Sequence, residues 1–518
     1  MAKRESSTRT TQQLEFDLDN HQPIPTVQEL RAAILRKMRK GEDPLPLIQG
    51  REETKRDVLR CLLSGHNLYL VSEEGTGKTR LAQSLTSLLS TTPKIKGCTY
   101  NDDPKWPDRF LCPSHRGSRN PAKEFGIELL PGHKRFSRIQ GNDYTDEAKL
   151  LGLKDIQAIV QGQSPSDPKV FTATGAFRAN RGILFVDELP AIRTKVQVLL
   201  HPILDEKKVF LEEYNWEHPL DIVVIATGNP QGFSHVNEVP RPLLDRMELI
   251  YMPLPNKEVE RDIMLQERFH AMNQHAEPQE APVVSSPHTT PKALDRDTLV
   301  PWWILYLLNE AVSYSRKCGL LDRKPSLRGS SRALDHTYSS AELANRKVAC
   351  LKDASDGLKL ALRGRMELRA DLLDFDNPQF TFQRTDEVAD DLLWNGIEEC
   401  ADLIIGDCDR EKLSAELRAL CMEGPEKVSG RLPSYAQLNK AVQRMKQSTG
   451  ERINTHLLTK HERAMLVHPS GVSKEIVEEM DRSAVETVIN AGLHRYLVTP
   501  ADIFKTTIFV PTMVTWGT

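Results

Sequence analysis

The stretch that decides the fold is Val71–Arg80, which reads VSEEGTGKTR and directly follows the apolar run NLYLV at 67–71. From position 72 to position 79 it matches the pattern G-x-x-x-x-G-K-[ST], with Ser72 in place of the first glycine. A strand that is followed by a glycine-rich turn and a helix presents backbone N–H groups to an anion. The stretch therefore predicts a phosphate-binding loop, and the strand before it makes a chance match in an ordinary loop the weaker interpretation.

Each part of this loop has a predicted task. The backbone N–H groups from Glu74 to Thr79 would hold the phosphates of a nucleotide. Lys78 would supply a point charge to the β- and γ-phosphates, and Thr79 a hydroxyl ligand to Mg²⁺. The loop thus predicts ATP and Mg²⁺ as cofactors. Its predicted nucleotide contacts are Glu74, Gly75, Thr76, Gly77, Lys78, Thr79 and Arg80.

A second apolar run, GILFVDE at 182–188, ends in two carboxylates. Asp187 and Glu188 would lie at the C-terminal end of a strand, the edge where ligands bind in open α/β sheets. Asp187 would hold Mg²⁺, directly or through water, and Glu188 would orient and polarise the attacking water. A strand that simply ends in solvated acids is the alternative, which the phosphate-binding loop upstream disfavours.

The next apolar run, DIVVIATGN at 221–229, ends in Asn229. A side-chain amide at that edge can hydrogen-bond the γ-phosphate or the water, so Asn229 would report whether the third phosphate is present. An asparagine before proline is otherwise most often a turn residue. Its position after the acidic strand favours the sensing role.

The composition fits a soluble protein with several domains. A length of 518 residues exceeds what one core organises, and 39% hydrophobic residues suffice for packed cores. The formal net charge of -3 gives no support for binding nucleic acid or lying on an anionic membrane. No apolar run approaches the roughly 20 residues of a membrane span, and the polar start lacks the apolar stretch of a secretory signal. The expected compartment is the cytoplasm.

The eight cysteines are scattered without a C-x-x-C pair, which is typical of a reducing compartment. Cys98, Cys112 and His115 lie in the long irregular segment 98–141 and could suggest a metal site. Their spacing lacks the paired ligands of a zinc site, so the sequence favours no metal there and leaves the question open.

Composition shifts divide the chain into five predicted segments. Residues 1–45 are a polar N-terminal extension that ends in a helical stretch, and residues 46–255 are an α/β nucleotide-binding core with a parallel sheet. Residues 256–298, which are rich in Pro, Ser and Thr, are a predicted linker. Residues 299–375 are a predicted helical lid, and residues 376–518 a helical C-terminal region without a chemical motif.

The order of these motifs resembles the AAA+ ATPase subunit of magnesium chelatase and its relatives, the MoxR-type ATPases. The resemblance runs from 46 to 255 and weakly into the lid, and it implies a P-loop AAA+ core followed by an α-helical lid. DEKKVFLEEYNWEH at 205–218 resembles the hairpin that this family inserts before sensor 1. The other shared elements are LIQGREETKRDVL, GTGKTRL, GLKDIQAIVQG, F-x-x-x-GAFRANRGILFVDE, W-x-HP, TGNPQG and RPLLDRM.

The resemblance also assigns roles to individual residues. It supports Asp187 and Glu188 as the acidic pair and Asn229 as sensor 1. Arg246 in LLDRM matches the arginine finger that reaches the γ-phosphate in the neighbouring subunit, with Arg241 as a second candidate. A solvated arginine at a helix end is the alternative for both.

Two further sites rest on the resemblance alone. Arg332 in SSRAL matches the sensor 2 arginine of the lid, and Arg328 in SLRG is the second candidate. The adenine would lie near Ile48, Gln49 and Gly50.

These observations predict an ATPase that converts ATP and water to ADP and phosphate in a homo-oligomeric ring, expected to be a hexamer. The first hypothesis is a motor that remodels or activates a partner protein, with a von Willebrand A-type domain as in the MoxR and chelatase systems. The alternatives are the motor subunit of a magnesium or cobalt chelatase, and a nucleotide-gated assembly scaffold. The irregular segment and the unmatched C-terminal region argue against the chelatase reaction itself, and the presence of Lys78, Glu188 and Arg246 disfavours the scaffold.

Overall fold

A computed structural model divides the chain into two compact units, Met1–Pro253 and Leu254–Thr518. The predicted division into five segments is finer than this and stays a prediction. Part of the predicted linker lies outside the described residues. The structure describes residues 18–229, 239–267, 296, 298–373, 378–423, 428–467, 472–503, 506 and 508–511.

The first unit is built on a parallel sheet that explains the apolar runs of the sequence. Five of its strands lie in the order β11, β1, β10, β7, β4, and each pairs with its neighbours in parallel. Three antiparallel pairs, β2 with β3, β5 with β6 and β8 with β9, lie outside this sheet. The strands are β1 (Leu68–Val71), β2 (Thr92–Ile95), β3 (Ile127–Leu130), β4 (Phe136–Gln140), β5 (Gly152–Lys154), β6 (Phe171–Ala173), β7 (Gly182–Asp187), β8 (Lys208–Leu211), β9 (Trp216–Pro219), β10 (Ile222–Gly228) and β11 (Glu248–Tyr251).

Strands β7 and β10 are buried along their whole length, because hydrophobic cores cover both faces of the sheet. Ile183 and Phe185 contribute to one core, and Leu184 and Val186 to the other. This burial is why the two strands read as continuous apolar runs rather than as an alternating pattern. The helices of the unit are α1 (Thr26–Arg39), α2 (Glu52–Ser64), α3 (Lys78–Ser84), α4 (Pro121–Phe125), α5 (Glu147–Leu150), α6 (Ile156–Val160), α7 (Gly175–Arg178), α8 (Thr194–Gln197), α9 (Leu200–Asp205) and α10 (Arg241–Leu244).

Helix α1, which falls in the predicted N-terminal extension, packs into the core of the first unit. Leu30 and Ile34 are fully buried in the same core as β1. Glu29 forms an ion pair of 2.7 Å with the buried guanidinium of Arg135, whose Nε donates to the backbone oxygen of Arg181 immediately before β7. The helix therefore helps to hold the start of the acidic strand.

The second unit is mostly helical, and the predicted lid and C-terminal region share one hydrophobic core in it. Trp302 and Trp303 are buried, and their indole nitrogens donate to Met445 O at 2.7 Å and to Ser483 Oγ at 3.1 Å. One helix, α11 (Lys257–Glu267), occupies the beginning of the predicted linker because Met264 and Leu265 pack into this core.

The elements of the second unit begin with α11 (Lys257–Glu267). Strands β12 (Leu321–Arg323) and β13 (Glu367–Leu368) pair in antiparallel. The other helices are α12 (Trp302–Ser315), α13 (Leu327–Leu343), α14 (Leu351–Leu362), α15 (Pro378–Ile405), α16 (Arg410–Glu423), α17 (Val428–Arg431), α18 (Ala436–Gln447), α19 (Thr449–Arg452), α20 (Lys460–Leu466), α21 (Lys474–His494) and α22 (Pro500–Ile503).

The predicted fold class, an α/β core with a parallel sheet followed by helical regions, is confirmed. Among the helices described, none combines the length and the apolarity that crossing a bilayer would require.

Glu29→Gln should destabilise the first unit by about 2–4 kcal/mol, because it leaves the buried Arg135 charge without its counter-charge. Burial raises the pKa of Glu29, but hydrogen bonds from Arg135 and Ser90 outweigh it and lower the pKa below its usual value of 4.5. The ion pair thus contributes its full stabilisation at pH values above the usual pKa of 4.5. This stabilisation is lost as the pH falls through the lower pKa of the folded state.

Urea unfolding at neutral pH measures the free energy of unfolding of the Glu29→Gln variant and of the unmodified protein. Glu53→Gln on the exposed face of α2 is the matched control. Equal unfolding free energies for the two variants would contradict the role of the pair.

Candidate nucleotide-binding site

The loop, the acidic pair and Asn229 meet at the C-terminal edge of the sheet. Strand β10 lies between β1 and β7, so the chain segments that follow these three strands are neighbours in space. Val71 is in register with Gly228, and Gln140 at the end of β4 is in register with Asp187. The sheet therefore brings together groups that are far apart in the sequence, at the edge where open α/β sheets bind ligands.

The loop after β1 has the backbone conformation that its glycines allow. Gly75 and Gly77 have φ angles of 70° and 97°, which favour glycine, and α3 begins at Lys78. The N–H groups of the first helical turn have no partner inside the helix, which makes this end suitable for an anion. Ser72, which replaces the first glycine of the motif, is fully buried, and its Oγ donates to Glu73 O at 3.1 Å. The substitution is thus accommodated inside the loop.

Lys78 is held at the centre of the site by oxygen atoms of its own loop and of the end of β10. Its Nζ donates to Ser72 O at 2.6 Å, to Gly228 O at 3.1 Å and to Asn229 Oδ1 at 2.9 Å. Burial lowers the pKa of Lys78 to about 8, although the nearby carboxylates oppose the shift. The site therefore contains a buried ammonium group whose acceptors phosphate oxygens can replace.

A buried threonine fixes the acidic pair. Thr227 Oγ1 donates to Asp187 Oδ1 at 2.8 Å and accepts a hydrogen bond from the backbone N–H of Glu188 at 2.9 Å. Thr79 Oγ1 lies 3.5 Å from Asp187 Oδ2. A hydroxyl and a carboxylate at this separation are oxygen ligands of the kind that Mg²⁺ prefers, so Thr79 and Asp187 fit a magnesium site.

Glu188 is exposed at the end of the strand in an unusual backbone conformation. Its φ angle is 56°, which costs free energy in a residue other than glycine. A Cβ atom at Gly141 would come within 2.1 Å of Glu188 O, so the chain after β4 needs glycine there. Gln140 Nε2 donates to Glu188 Oε2 at 3.3 Å. The carboxylate remains open to water.

Two residues of the site were not predicted from the sequence. Thr227 lies near the end of the apolar run at 221–229, on the strand next to the one that ends in Asp187. That position could have predicted a hydrogen bond to the carboxylate. Arg138 on β4 forms an ion pair of 2.5 Å with Asp187 Oδ2. Nothing in the local pattern indicates Arg138, because β4 is only partly buried and does not form an apolar run.

The residues predicted around the adenine lie beside the loop. Ile48 is buried, and Gly50 and Arg51 have positive φ angles of 63° and 57°. Arg51 Nη1 lies 3.9 Å from the position that a Cβ atom on Gly77 would take. Within the described residues, the buried Oε1 of Gln49 has no hydrogen-bond partner. This segment can therefore contribute one wall and one acceptor to a nucleotide site.

The predicted finger arginines lie on and just after α10, and the predicted sensor 2 arginines lie in the second unit. Arg246, just beyond α10, pairs with Asp205 Oδ2 at 2.5 Å and donates to Pro242 O. Arg241 is exposed at the start of the same helix. Arg332 and Arg328 are exposed on α13 in the second unit, one turn apart, and Arg332 pairs with Asp335 at 3.3 Å. Their roles as finger and sensor 2 stay predictions.

Comparison with known proteins finds a family model and curated relatives that match part of the chain. A family model of the AAA domain (dynein-related subfamily) matches residues 128–247, which include the acidic pair and Arg246. Magnesium-chelatase subunit ChlI of Nostoc sp. is 28% identical over 230 residues, which are 43% of this chain and 56% of that protein. The magnesium-chelatase 38 kDa subunit of Acidiphilium rubrum is 28% identical over 211 residues, which are 40% of this chain and 57% of that protein.

The chain spans about half the length of the curated relatives that it matches. Among solved structures, a model of the complex between subunits BchI and BchD of magnesium chelatase gives a TM-score of 0.35 at 17% identity, covering 66% of this chain and 98% of that chain. The family match and the relatives lead to one conclusion: residues 128–247 match an AAA domain, and the chain is related to subunits of magnesium chelatase.

Proposed function

We propose that this chain binds ATP with Mg²⁺ at the sheet edge and hydrolyses it to ADP and phosphate. The observation that carries the proposal is the meeting of two pairs, Lys78 with Asn229 and Thr79 with Asp187. A chance match to the loop motif would not bring an ammonium, a hydroxyl, a carboxylate and an amide from three neighbouring strands together. Phosphoryl transfer needs this set of groups for positioning and charge stabilisation.

Binding of ATP would exchange the partners of Lys78. Its Nζ leaves Ser72 O, Gly228 O and Asn229 Oδ1 and donates to oxygens of the β- and γ-phosphates, while N–H groups of the loop hold the remaining phosphate charge. Asn229 is then free to bond the γ-phosphate or the water. Thr79 and Asp187 would hold Mg²⁺, and the ion would supply positive charge against the phosphates.

Glu188 would position the water that attacks the γ-phosphate. The carboxylate is exposed, and the backbone that carries it is held by the hydrogen bond of the Glu188 N–H to Thr227. A loose phosphoryl-transfer transition state depends more on the position of the water than on strong base chemistry. Glu188 therefore contributes orientation and polarisation.

The ring and its partner belong to the same proposal. Arg246 makes its bonds to Asp205 and Pro242, outside the cluster of its own chain, and this arrangement suits a finger that acts on a neighbouring copy. We propose a homo-oligomeric ring, a hexamer, that remodels or activates a partner protein with a von Willebrand A-type domain. The motor subunit of a metal chelatase is an equally compatible second function, because curated relatives are named as magnesium-chelatase subunits.

Glu188→Gln should keep ATP affinity and lower kcat at least about a hundredfold, because the amide keeps the shape of the side chain but cannot polarise the water. Lys78→Ala is the contrasting variant, since it removes the phosphate contact and should lose binding. Isothermal titration with ATP and a phosphate-release assay measure the two quantities. Unchanged turnover in the Glu188 variant would remove that residue from its role.

The affinity for ATP should fall about tenfold between about pH 7 and about pH 9, because Lys78 has to be protonated to bind phosphate. With a pKa of about 8, the free protein carries the charge at the lower pH and has mostly lost it at the higher pH. A non-hydrolysed ATP analogue titrated across this range measures the change. A constant or rising affinity would contradict the assignment.

Arg246→Ala should lower the ATPase rate at least about a hundredfold, and mixing it with Glu188→Gln should restore activity. In an equal mixture, about a quarter of the interfaces join an intact Glu188 to an intact Arg246, which predicts about a quarter of the wild-type rate. Asp205→Asn is the matched control, because it breaks the ion pair and keeps the arginine. A mixture that stays inactive would exclude a finger in trans.

A further inference from the structure

Four buried side chains converge in the segment between β2 and β3, away from the nucleotide site. Cys98, Asp102, Cys112 and His115 each offer one ligand atom, and these atoms all lie within 4.8 Å of one another. The surrounding segment, residues 96–126, contains little regular structure besides the short helix α4. A cluster of thiols, imidazole and carboxylate in an irregular segment is the donor set of a structural zinc site.

The separations in the cluster suit tetrahedral ligation. His115 Nδ1 lies 2.9 Å from Asp102 Oδ2 and 3.2 Å from Cys112 Sγ. Ligand atoms around tetrahedral zinc are separated by roughly 3.3–3.8 Å, and these two separations are within about half an ångström of that range. The metal would take the place of the proton that His115 shares with its neighbours.

Asp102 supplies an independent observation. Its side chain is fully buried, and within the described part of the chain its Oδ1 has no hydrogen-bond partner. A buried carboxylate oxygen without a partner is costly, and a cation is the group that would satisfy it. Its other oxygen, Oδ2, accepts the N–H of Cys112 at 2.9 Å and lies beside His115, so the carboxylate is held against the cluster.

The local backbone forms two short ligand pairs. Asp102 N donates to Cys98 Sγ at 3.4 Å, and the N–H groups of His115 and Arg116 both donate to Cys112 O in a tight turn. Cysteine and histidine alone form one close pair here, and Cys98 has no partner of either type nearby in the sequence. With Asp102 included, Cys98-x3-Asp102 and Cys112-x2-His115 are two pairs of closely spaced ligands.

We propose that Cys98, Asp102, Cys112 and His115 bind one zinc ion that holds the segment between β2 and β3 in place. Two thiolates and a carboxylate carry one negative charge more than the ion neutralises, and Arg116 beside His115 brings a positive charge close to them. Its Nε donates to Leu111 O at 2.9 Å, next to Cys112. The site is structural because four protein ligands complete a tetrahedral shell and leave no open position for a reaction.

The zinc would stabilise the start of the acidic strand. Asp103, next to the ligand Asp102, forms a buried ion pair of 2.6 Å with Arg181, the residue before β7. Asn101 Nδ2 donates to Arg178 O at 2.8 Å, and Asn180 Nδ2 donates to Tyr100 O at 3.0 Å. The ligand segment is therefore bonded to the turn from which the strand with the acidic pair begins.

Untagged protein, purified under reducing conditions with zinc and then desalted, should retain about one zinc per chain by elemental analysis. Cobalt in place of zinc should give visible bands with the intensity of tetrahedral cobalt and a near-ultraviolet thiolate charge-transfer band. A mercurial reagent should release the zinc from the wild-type protein, as a metallochromic dye reports. This measurement tests the thiolate ligands without any variant.

Cys98→Ser, Cys112→Ser and His115→Ala should each lose most of the zinc, whereas the controls Cys61→Ser and His133→Ala should keep it. Removing zinc with a chelator in the absence of nucleotide should lower Tm by roughly 5 °C or more. The proposal is overturned if the wild-type protein retains no zinc, if the cysteine variants retain all of it, or if Cys98 and Cys112 are found joined in a disulfide under these conditions.

Discussion

The hydrogen bond from Thr227 to Asp187 is the interaction on which the candidate site depends. It joins the ends of the adjacent strands β10 and β7, and the same hydroxyl accepts the N–H of Glu188. One buried group therefore sets both the direction of the carboxylate that would bind magnesium and the position of the residue that would orient the water. The glycine-rich loop approaches this fixed pair from the other side of β10, through the bond of Lys78 to Asn229.

The sequence contained enough information to place the centre of the site. Parallel strands end at the same edge, so a phosphate-binding loop after one strand, two acids after a second and an amide after a third had to meet. β7 and β10 were recognisable because both faces of the sheet are buried, which makes these strands continuous apolar runs. The α/β class and the helical character of the rest followed from the same patterns.

Other features depend on tertiary contacts that leave no local pattern. Arg138 reaches Asp187 from β4, a partly exposed strand whose sequence, FSRIQ, resembles an ordinary loop or edge strand. Asp102 completes the proposed zinc site because the segment folds back on itself, and a search for cysteine and histidine alone does not include an aspartate. Helix α1 falls in the predicted N-terminal extension, and its many basic residues obscure the two apolar side chains, Leu30 and Ile34, that it buries.

The account as a whole requires ATP to replace protein oxygens around Lys78, and a structure with a non-hydrolysed ATP analogue and Mg²⁺ tests this most directly. The account predicts Lys78 Nζ on the β- and γ-phosphates instead of Asn229 Oδ1, with the metal between Thr79 and Asp187 and the base beside Ile48. A nucleotide bound elsewhere, or Lys78 still bonded to Asn229 in the complex, would contradict it.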